Sequence, residues 1–297
     1  MTTKKKMLLA DIALLLAALS WGGGFVAGDI VIELFSPFFI MAIRFTGAAI
    51  GMGCLFFRAI RKSNKTDLKA GIILGIVYFI SLPLQVISLK YTTPSKHAFL
   101  LASYVIITPF ASWLILHNRP PKKAFWAGAL ALWGISLISL NGSMQMELGD
   151  LLTLVFSLIY SFILVLTGIL SRKTNPLAMS FYQYLTIGTL SIIATVLIEP
   201  SPSSFPFAGF AALAYLIIVN TILAYTLQNV AQRYTTDTHA AILISMESVF
   251  GYFCGVVLYS DPFTPRVLIG GLIVFSAVLI SVLNWKDIFH IKQSDNP

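Results

Sequence analysis

The sequence predicts an all-α integral membrane protein with ten transmembrane helices, built as two inverted five-helix repeats. Three observations carry that expectation. The chain of 297 residues is 57% hydrophobic and only 11% charged, whereas a soluble domain carries roughly a quarter charged residues. Its apolar residues gather into runs of about 20, the length that crosses a bilayer. The chain also repeats itself at a nearly constant offset, with an odd number of runs per unit.

So few charges would leave a water-soluble globule of this size uncovered, and the mean hydropathy is +0.85. A cytosolic enzyme, a secreted disulfide scaffold and a disordered chain are all excluded by that balance. Cys54 and Cys254 lie inside apolar runs and read as small buried hydrophobes rather than a staple or a metal pair.

The candidate spans are 8–28, 37–57, 70–90, 95–116, 124–142, 149–169, 176–197, 207–230, 238–258 and 266–285. Breakers and charges fill the short connections: Pro37, Arg58 to Lys69, Pro120-Pro121, Asn175-Pro176, Pro200 to Pro206, and Pro262 with Pro265. No loop is long enough for a soluble domain, so any activity belongs to the helical bundle. Lys and Arg mark the cytoplasmic side. With the N-terminus inside, that side holds Lys4, Lys5, Lys6, Arg58, Arg61, Lys62, Lys65, Lys69, Arg119, Lys122, Lys123, Arg172, Lys173, Arg233, Lys286 and Lys292, and the other side only Lys90, Lys96 and Arg266. The expected location is the plasma (inner) membrane with both termini cytoplasmic. The net charge of +8 then needs no nucleic-acid partner. A secretory leader starting at Lys4-Lys5-Lys6 is the competing reading. The run is long for that, lacks a clear small-residue cleavage site, and belongs to the repeat.

Shifting the first half by 139 places Asp11 on Asp150, Trp21 on Tyr160, Pro37 on Pro176 and Arg44 on Gln183. With four more residues, Leu84-Gln85 meets Leu227-Gln228, Tyr91-Thr92-Thr93 meets Tyr234-Thr235-Thr236, Gly128 meets Gly271 and Asn141 meets Asn284. The units are 8–142 and 143–286, with tails at 1–7 and 287–297. Each unit holds five spans, so the second enters the membrane from the opposite side, the inverted arrangement found in many transporters. Two homologous halves of opposite orientation have two swapped poses of similar energy, one open to each side. The bland alternative is that duplication simply makes a stable bundle.

The segment Ala17 to Phe25 (AALSWGGGF), Arg44, Leu89-Lys90-Tyr91-Thr92, Ala98-Phe99-Leu100, Gly149-Asp150-Leu151-Leu152 and Met246-Glu247-Ser248-Val249 together resemble the drug/metabolite transporter superfamily. Within it the chain is similar to the ten-helix family with two EamA domains, over nearly its whole length. The match is to the family's Trp-Gly…Phe pattern in helix one, its helix-two arginine, and its Glu-Pro-Val signature in helix nine. Ser248 stands where the family carries proline, and Asp261-Pro262 where it carries Gly-Glu. The resemblance implies export of amino acids or transport of other metabolites, and leaves the substrate open.

Polar groups at membrane depth are costly and usually face a bundle interior or a wet cavity. Glu247 lies near mid-helix, with Ala240, Leu243, Ile244 and Gly251 at helical spacings on its side. A carboxyl buried there favours its neutral form, which makes it a proton-coupling candidate, a partner for an ammonium group, or a helix–helix hydrogen bond. Arg44 either meets a substrate carboxylate, snorkels to headgroups, or pairs with Asp29 or Glu33. Gln85 shares a face with Tyr78, and His97 with Leu101 and Tyr104. Arg44, Gln85 and His97 fall in the outer half, and their counterparts Gln183, Gln228 and nearby His239 in the inner half. His97 and His239 are further proton candidates, because imidazole titrates near neutral pH. The default reading of each alone is an interfacial or hydrogen-bonded residue. Trp21, Tyr160 and Tyr184 supply an aromatic wall or ordinary packing. Gly22-Gly23-Gly24 permits close approach, a break or a hinge. Gly128 and Gly270-Gly271 read as helix-packing contacts. Asp11 and Asp150 are expected to cap helices one and six.

Phosphate-loop, zinc-helix, nucleophile-elbow and CxxC signatures are absent, and the sequence implies neither metal nor cofactor. The partners expected are a small-molecule substrate (an amino acid or related metabolite), the lipid bilayer and protons, in a monomer or homodimer. An intramembrane enzyme acting on a lipid-linked substrate, and a structural or sensory protein without flux, are the rival classes.

Overall fold

The computed structural model describes residues 3–117, 122–139, 146–200, 206–235, 237–258 and 264–282. The tail at 287–297, Asn141, Asn284, Asp261-Pro262 and Pro120-Pro121 lie outside the described residues. All regular structure among the described residues is helical: α1 Thr3–Leu34, α2 Pro37–Leu55, α3 Phe57–Arg61, α4 Lys65–Ser88, α5 Pro94–Leu101, α6 Tyr104–Leu116, α7 Lys122–Ser139, α8 Leu148–Ser171, α9 Pro176–Ile198, α10 Phe207–Tyr215, a π-helix Leu216–Leu223, α11 Ala224–Ala231, α12 Asp237–Leu258 and α13 Pro265–Val282. With α5–α6 as one segment and α10 to α11 as another, and the five-residue α3 set aside, these fit the ten expected spans. Six are long and apolar enough to cross a membrane on length and composition alone.

The boundaries follow from local chemistry. Ser36-Pro37 and Asn175-Pro176, equivalent in the repeat, start α2 and α9 with proline in the first turn, where its missing N–H costs nothing. Asn64 caps α4 through the N–H groups of Thr66 and Asp67, at 2.8 and 3.0 Å. Asp150 closes the corresponding box on α8 by accepting the Glu147 N–H. Asp11, by contrast, is no cap. The basic start of the chain is itself helical, so α1 begins at Thr3 and places Asp11 in its third turn. The span 95–116 is also interrupted. Val105 N–H donates to Ala102 O, three residues back, and the released Leu101 carbonyl accepts from the Ser157 hydroxyl at 3.1 Å, so the backbone account closes.

Cross-helix contacts show which ends share a side. Lys6 lies over the Tyr234 ring beyond α11. Arg172 at the end of α8 pairs with Asp237 at the start of α12, 3.0 Å. Asp67 at the start of α4 accepts the Asn175 N–H, 2.8 Å. These ends form the N-side, where α1 starts. On the far side, the Glu199 carboxylate closing α9 accepts Phe38 and Phe39 N–H at the start of α2, 2.9 and 2.8 Å. Lys96 at the start of α5 meets Asp150 at the start of α8, 2.8 Å. The helices α1 and α8 thus begin on opposite sides, as inverted repeats require.

Packing follows the same symmetry. The pairs α2 with α9 and α7 with α13 each join equivalent helices, while α1 against α12 is mirrored by α8 against α5 and α6. Large apolar side chains such as Ile50, Ile80, Leu114, Val196 and Phe210 point outward, as a lipid-facing surface demands. Cys54 belongs to that surface and is exposed, and Cys254 is half-buried, which corrects the expectation that both are core residues.

Glycines set the closest helix approaches. On Gly71 of α4, a Cβ would lie 2.7 Å from the Met179 carbonyl and 3.0 Å from Gln183 N, whereas on Gly53 it would have 3.5 Å to a flexible ring edge. Gly71→Ala is therefore expected to destabilise by about 1–3 kcal/mol. Detergent thermal unfolding, with Gly53→Ala as the neutral comparison, reads the difference.

Candidate functional site

A cavity of about 60 Å3 opens toward the far side, between α1, α2, α4, α5, α8, the π-helix, α11 and α12. At about 10–15 Å3 per water, it has room for about four to six waters. Val31, Ile40 and Leu89, near the far-side ends of their helices, flank its mouth, and Tyr160, Tyr225 and Glu247 form its floor. Toward the N-side the same helices close completely over Tyr184, Gln183, Gln228, Asn229 and Gln232.

Six of the sequence-predicted residues line this cavity: Trp21, Gly24, Arg44, Gln85, Tyr160 and Glu247. Arg44 pairs with neither Asp29 nor Glu33. Its Nε donates to the Thr221 hydroxyl at 2.6 Å and its Nη2 to Asn220 Oδ1 at 2.5 Å. No carboxylate of the described residues lies within 4.0 Å of it. Glu247 sits at mid-helix in α12, 3% exposed, with no cation in that range. The Tyr104 hydroxyl faces it, yet neither that hydroxyl nor Glu247 Oε1 closes a hydrogen bond of good geometry. The helix–helix hydrogen bond expected as an alternative role is thus not made by Oε1.

The remaining candidates are buried behind the cavity. Tyr78 packs edge-on against Tyr160 and Tyr225, at 6.4 and 5.5 Å between ring centres, and Tyr104 packs against Tyr160 at 5.0 Å. His97 is fully buried, with Nδ1 at 2.9 Å from both the Ser88 and Thr153 hydroxyls and its ring against Phe25. That places it in the wall and not in the cavity lining. Tyr184 meets the Thr221 carbonyl at 3.3 Å. Gln183 accepts from Asn229 Nδ2 at 3.2 Å on the N-side. The side chain of His239 lies outside the described residues.

The glycine triplet does not break α1. It lets α12, Tyr215 and Asn220 reach the helix: a Cβ on Gly22 would come within 2.8 Å of Gly251 N, and one on Gly24 would collide with the Asn220 amide. Close approach is the role these glycines play in this pose. Through Ser248 as well, α12 is continuous, and the hydroxyl donates to Ala98 O at 2.8 Å.

The π-helix was not anticipated. Such wide turns mark functional places in helices, and this one ties to α2 through Arg44, to α9 through Tyr184 and to α1. The Trp21 indole donates to the Asn220 carbonyl at 2.9 Å, Asn220 Nδ2 donates to Ser20 O at 3.2 Å, and the Thr221 hydroxyl donates to Leu216 O, five residues back. Asn220, Thr221 and Tyr225 are the site residues missing from the sequence reading. A lone amide inside the run Leu216-Ile217-Ile218-Val219-Asn220 carried the same signal of intramembrane polarity that picked out Glu247.

An inverted-repeat bundle of apolar helices around a cavity lined by both polar and apolar side chains is the architecture of a multi-pass membrane transporter. The model of the EamA-like transporter family matches residues 8–140 and 147–283, and the chain belongs to that family. It is 31% identical over 277 residues to a protein of Archaeoglobus fulgidus named an uncharacterized transporter, covering 93% of this chain and 86% of that one. It is 26% identical over 221 residues to the Bacillus subtilis uncharacterized transporter YyaM, covering 69% and 71%. A solved crystal structure superposes with TM-score 0.72 over 94% of this chain and 98% of that one, at 17% identity, a likeness of fold alone.

Proposed function

We propose that the protein is a secondary carrier that exports small zwitterionic metabolites, amino acids first among them, across the plasma membrane in exchange for protons. In this reading the repeats 8–142 and 143–286 rock about the cavity, the termini are cytoplasmic, the far side is external, and no covalent chemistry takes place. One observation carries it. Arg44 and Glu247 line the same cavity, both buried, neither within ion-pair distance of a counter-charge. A buried charge without a partner is expensive, so a ligand bearing a carboxylate and an ammonium group is the complement that relieves both. Trp21, Tyr160 and Tyr225 add aromatic faces for the cationic end.

Proton exchange is assigned to Glu247. A carboxyl there can hold either a proton or an arriving ammonium group, and the two occupants therefore exclude each other. Counterflow in proteoliposomes tests the carrier reading. Labelled amino acid should accumulate only in preloaded vesicles, and no accumulation for any amino acid would remove the substrate assignment. Glu247→Gln, which keeps the shape and loses the exchangeable proton, should retain counterflow but abolish uphill export driven by a pH gradient. Uphill export at the native rate in that variant would take Glu247 out of the coupling.

A further inference from the structure

The closed half of the bundle contains buried polar atoms that its folded neighbours do not satisfy. Both amide atoms of Gln228 lack a hydrogen bond of good geometry, although the Tyr160 side chain faces them. Gln232 Oε1 and Thr167 Oγ1 are likewise unpartnered, and all three residues are 0% exposed. Buried polar groups are nearly always paired with protein or water, so a cluster of exceptions needs a cause.

The repeat supplies one. Carried through the offset of 139, the cavity-lining Gly28 and Arg44 fall on Thr167 and Gln183. With 143, the cavity-lining Gln85, Val86 and Leu89 fall on Gln228, Asn229 and Gln232. The unsatisfied atoms therefore sit where the far-side cavity has its mirror image. When two inverted halves exchange poses, the mirror positions become the lining of a cavity open to the other side.

We propose that Gln183, Gln228, Asn229 and Gln232, with Thr167, form a second substrate-contact surface that opens to the N-side in the alternate pose. It is a neutral surface of amides that holds the carboxylate and ammonium groups of the substrate by hydrogen bonds and water. The proposal rests on the carrier reading and adds an asymmetry to it. A guanidinium greets the substrate from the far side, and the amide of Gln183 occupies the equivalent place on the N-side. In the present pose Asn229 Nδ2 is parked on the Ser180 hydroxyl and Gln183, at 2.8 and 3.2 Å, and Gln232 Nε2 on Leu164 O, at 3.2 Å. The Arg172–Asp237 pair, 3.0 Å, latches α8 to α12 at the N-side end.

Cysteine accessibility tests this without any substrate. In a Cys54→Ser/Cys254→Ser background, Gln232→Cys or Asn229→Cys is combined with Phe156→Cys, which lies in the far-side cavity. A membrane-impermeant maleimide is then applied to one side of oriented vesicles at a time. The expected result is N-side labelling at 229 and 232 and far-side labelling at 156 in the same molecule. Asp237→Asn, which opens the latch, should raise the N-side rate by about tenfold and lower the far-side rate. Failure of both N-side cysteines to label in Asp237→Asn protein, while position 156 labels normally, overturns the proposal. Labelling of 229 or 232 from the far side overturns it too. Labelling as expected with no amino-acid counterflow would instead overturn the substrate reading and leave this surface standing.

Discussion

Arg44→Ala is expected to raise the half-saturation concentration for a carboxylate-bearing substrate by about thirtyfold while leaving the protein folded. A guanidinium has five N–H donors. Two are committed to Thr221 and Asn220 and the Tyr225 hydroxyl also faces the guanidinium, which leaves at most three for the cavity. A hydrogen bond to a charged group contributes about 1.5–3 kcal/mol, and each 1.4 kcal/mol is tenfold in affinity. The comparison that isolates this effect is an amino-alcohol or amino-amide analogue of the same substrate, whose counterflow should change little. Arg44→Lys should restore only part of the affinity, because an ammonium cannot bond Thr221, Asn220 and a carboxylate in the planar geometry of the fork. Equal losses for substrate and analogue would make Arg44 a scaffold element and remove it from recognition. Asn220→Ala, which frees the guanidinium without removing it, should fall between the two variants in the same assay.

The sequence reading succeeded where lipid imposes a one-dimensional rule and failed where distant contacts decide. Spans are legible because a backbone in hydrocarbon must satisfy its own hydrogen bonds, which forces long apolar helices. Inverted threading is legible because an odd number of spans per repeat leaves no other option. The π-helix is not legible in that way. Its widened turn is held by Trp21 and Ser20, about 200 residues away, and no local signature in Leu216–Leu223 announces it. Arg44 shows the same limit. Its charge and depth were readable, but its partners lie 176 and 177 residues away, and the nearer carboxylates Asp29 and Glu33 were the natural guess. Asp11 is no cap for a local reason: the lysines before it continue the helix, which starts eight residues upstream, at Thr3. The glycine triplet stands out in the sequence, but only the structure shows what it faces.

The largest expected loss of stability is at the far side, from Lys96→Met. Lys96 is 8% exposed and its Nζ lies 2.8 Å from Asp150 Oδ2 and 3.2 Å from Glu147. Asp150 is completely buried; Oδ2 also accepts the Glu147 N–H, and Oδ1 has no partner. Removing the cation strands a carboxylate that water cannot reach, and breaking a buried pair in this way costs about 3–5 kcal/mol. At about 2–4 °C per kcal/mol for a large domain, the detergent thermal midpoint should fall by about 10 °C. The double variant Lys96→Met/Asp150→Asn should recover most of that loss, since an asparagine keeps the oxygen that caps α8 and removes the stranded charge. Recovery would identify desolvation of Asp150, rather than the ion-pair attraction itself, as the quantity Lys96 offsets. A double variant no more stable than Lys96→Met alone would show instead that the bridge matters as a clamp between α5 of one repeat and α8 of the other. In that case the loss should also appear as faster far-side labelling at position 156.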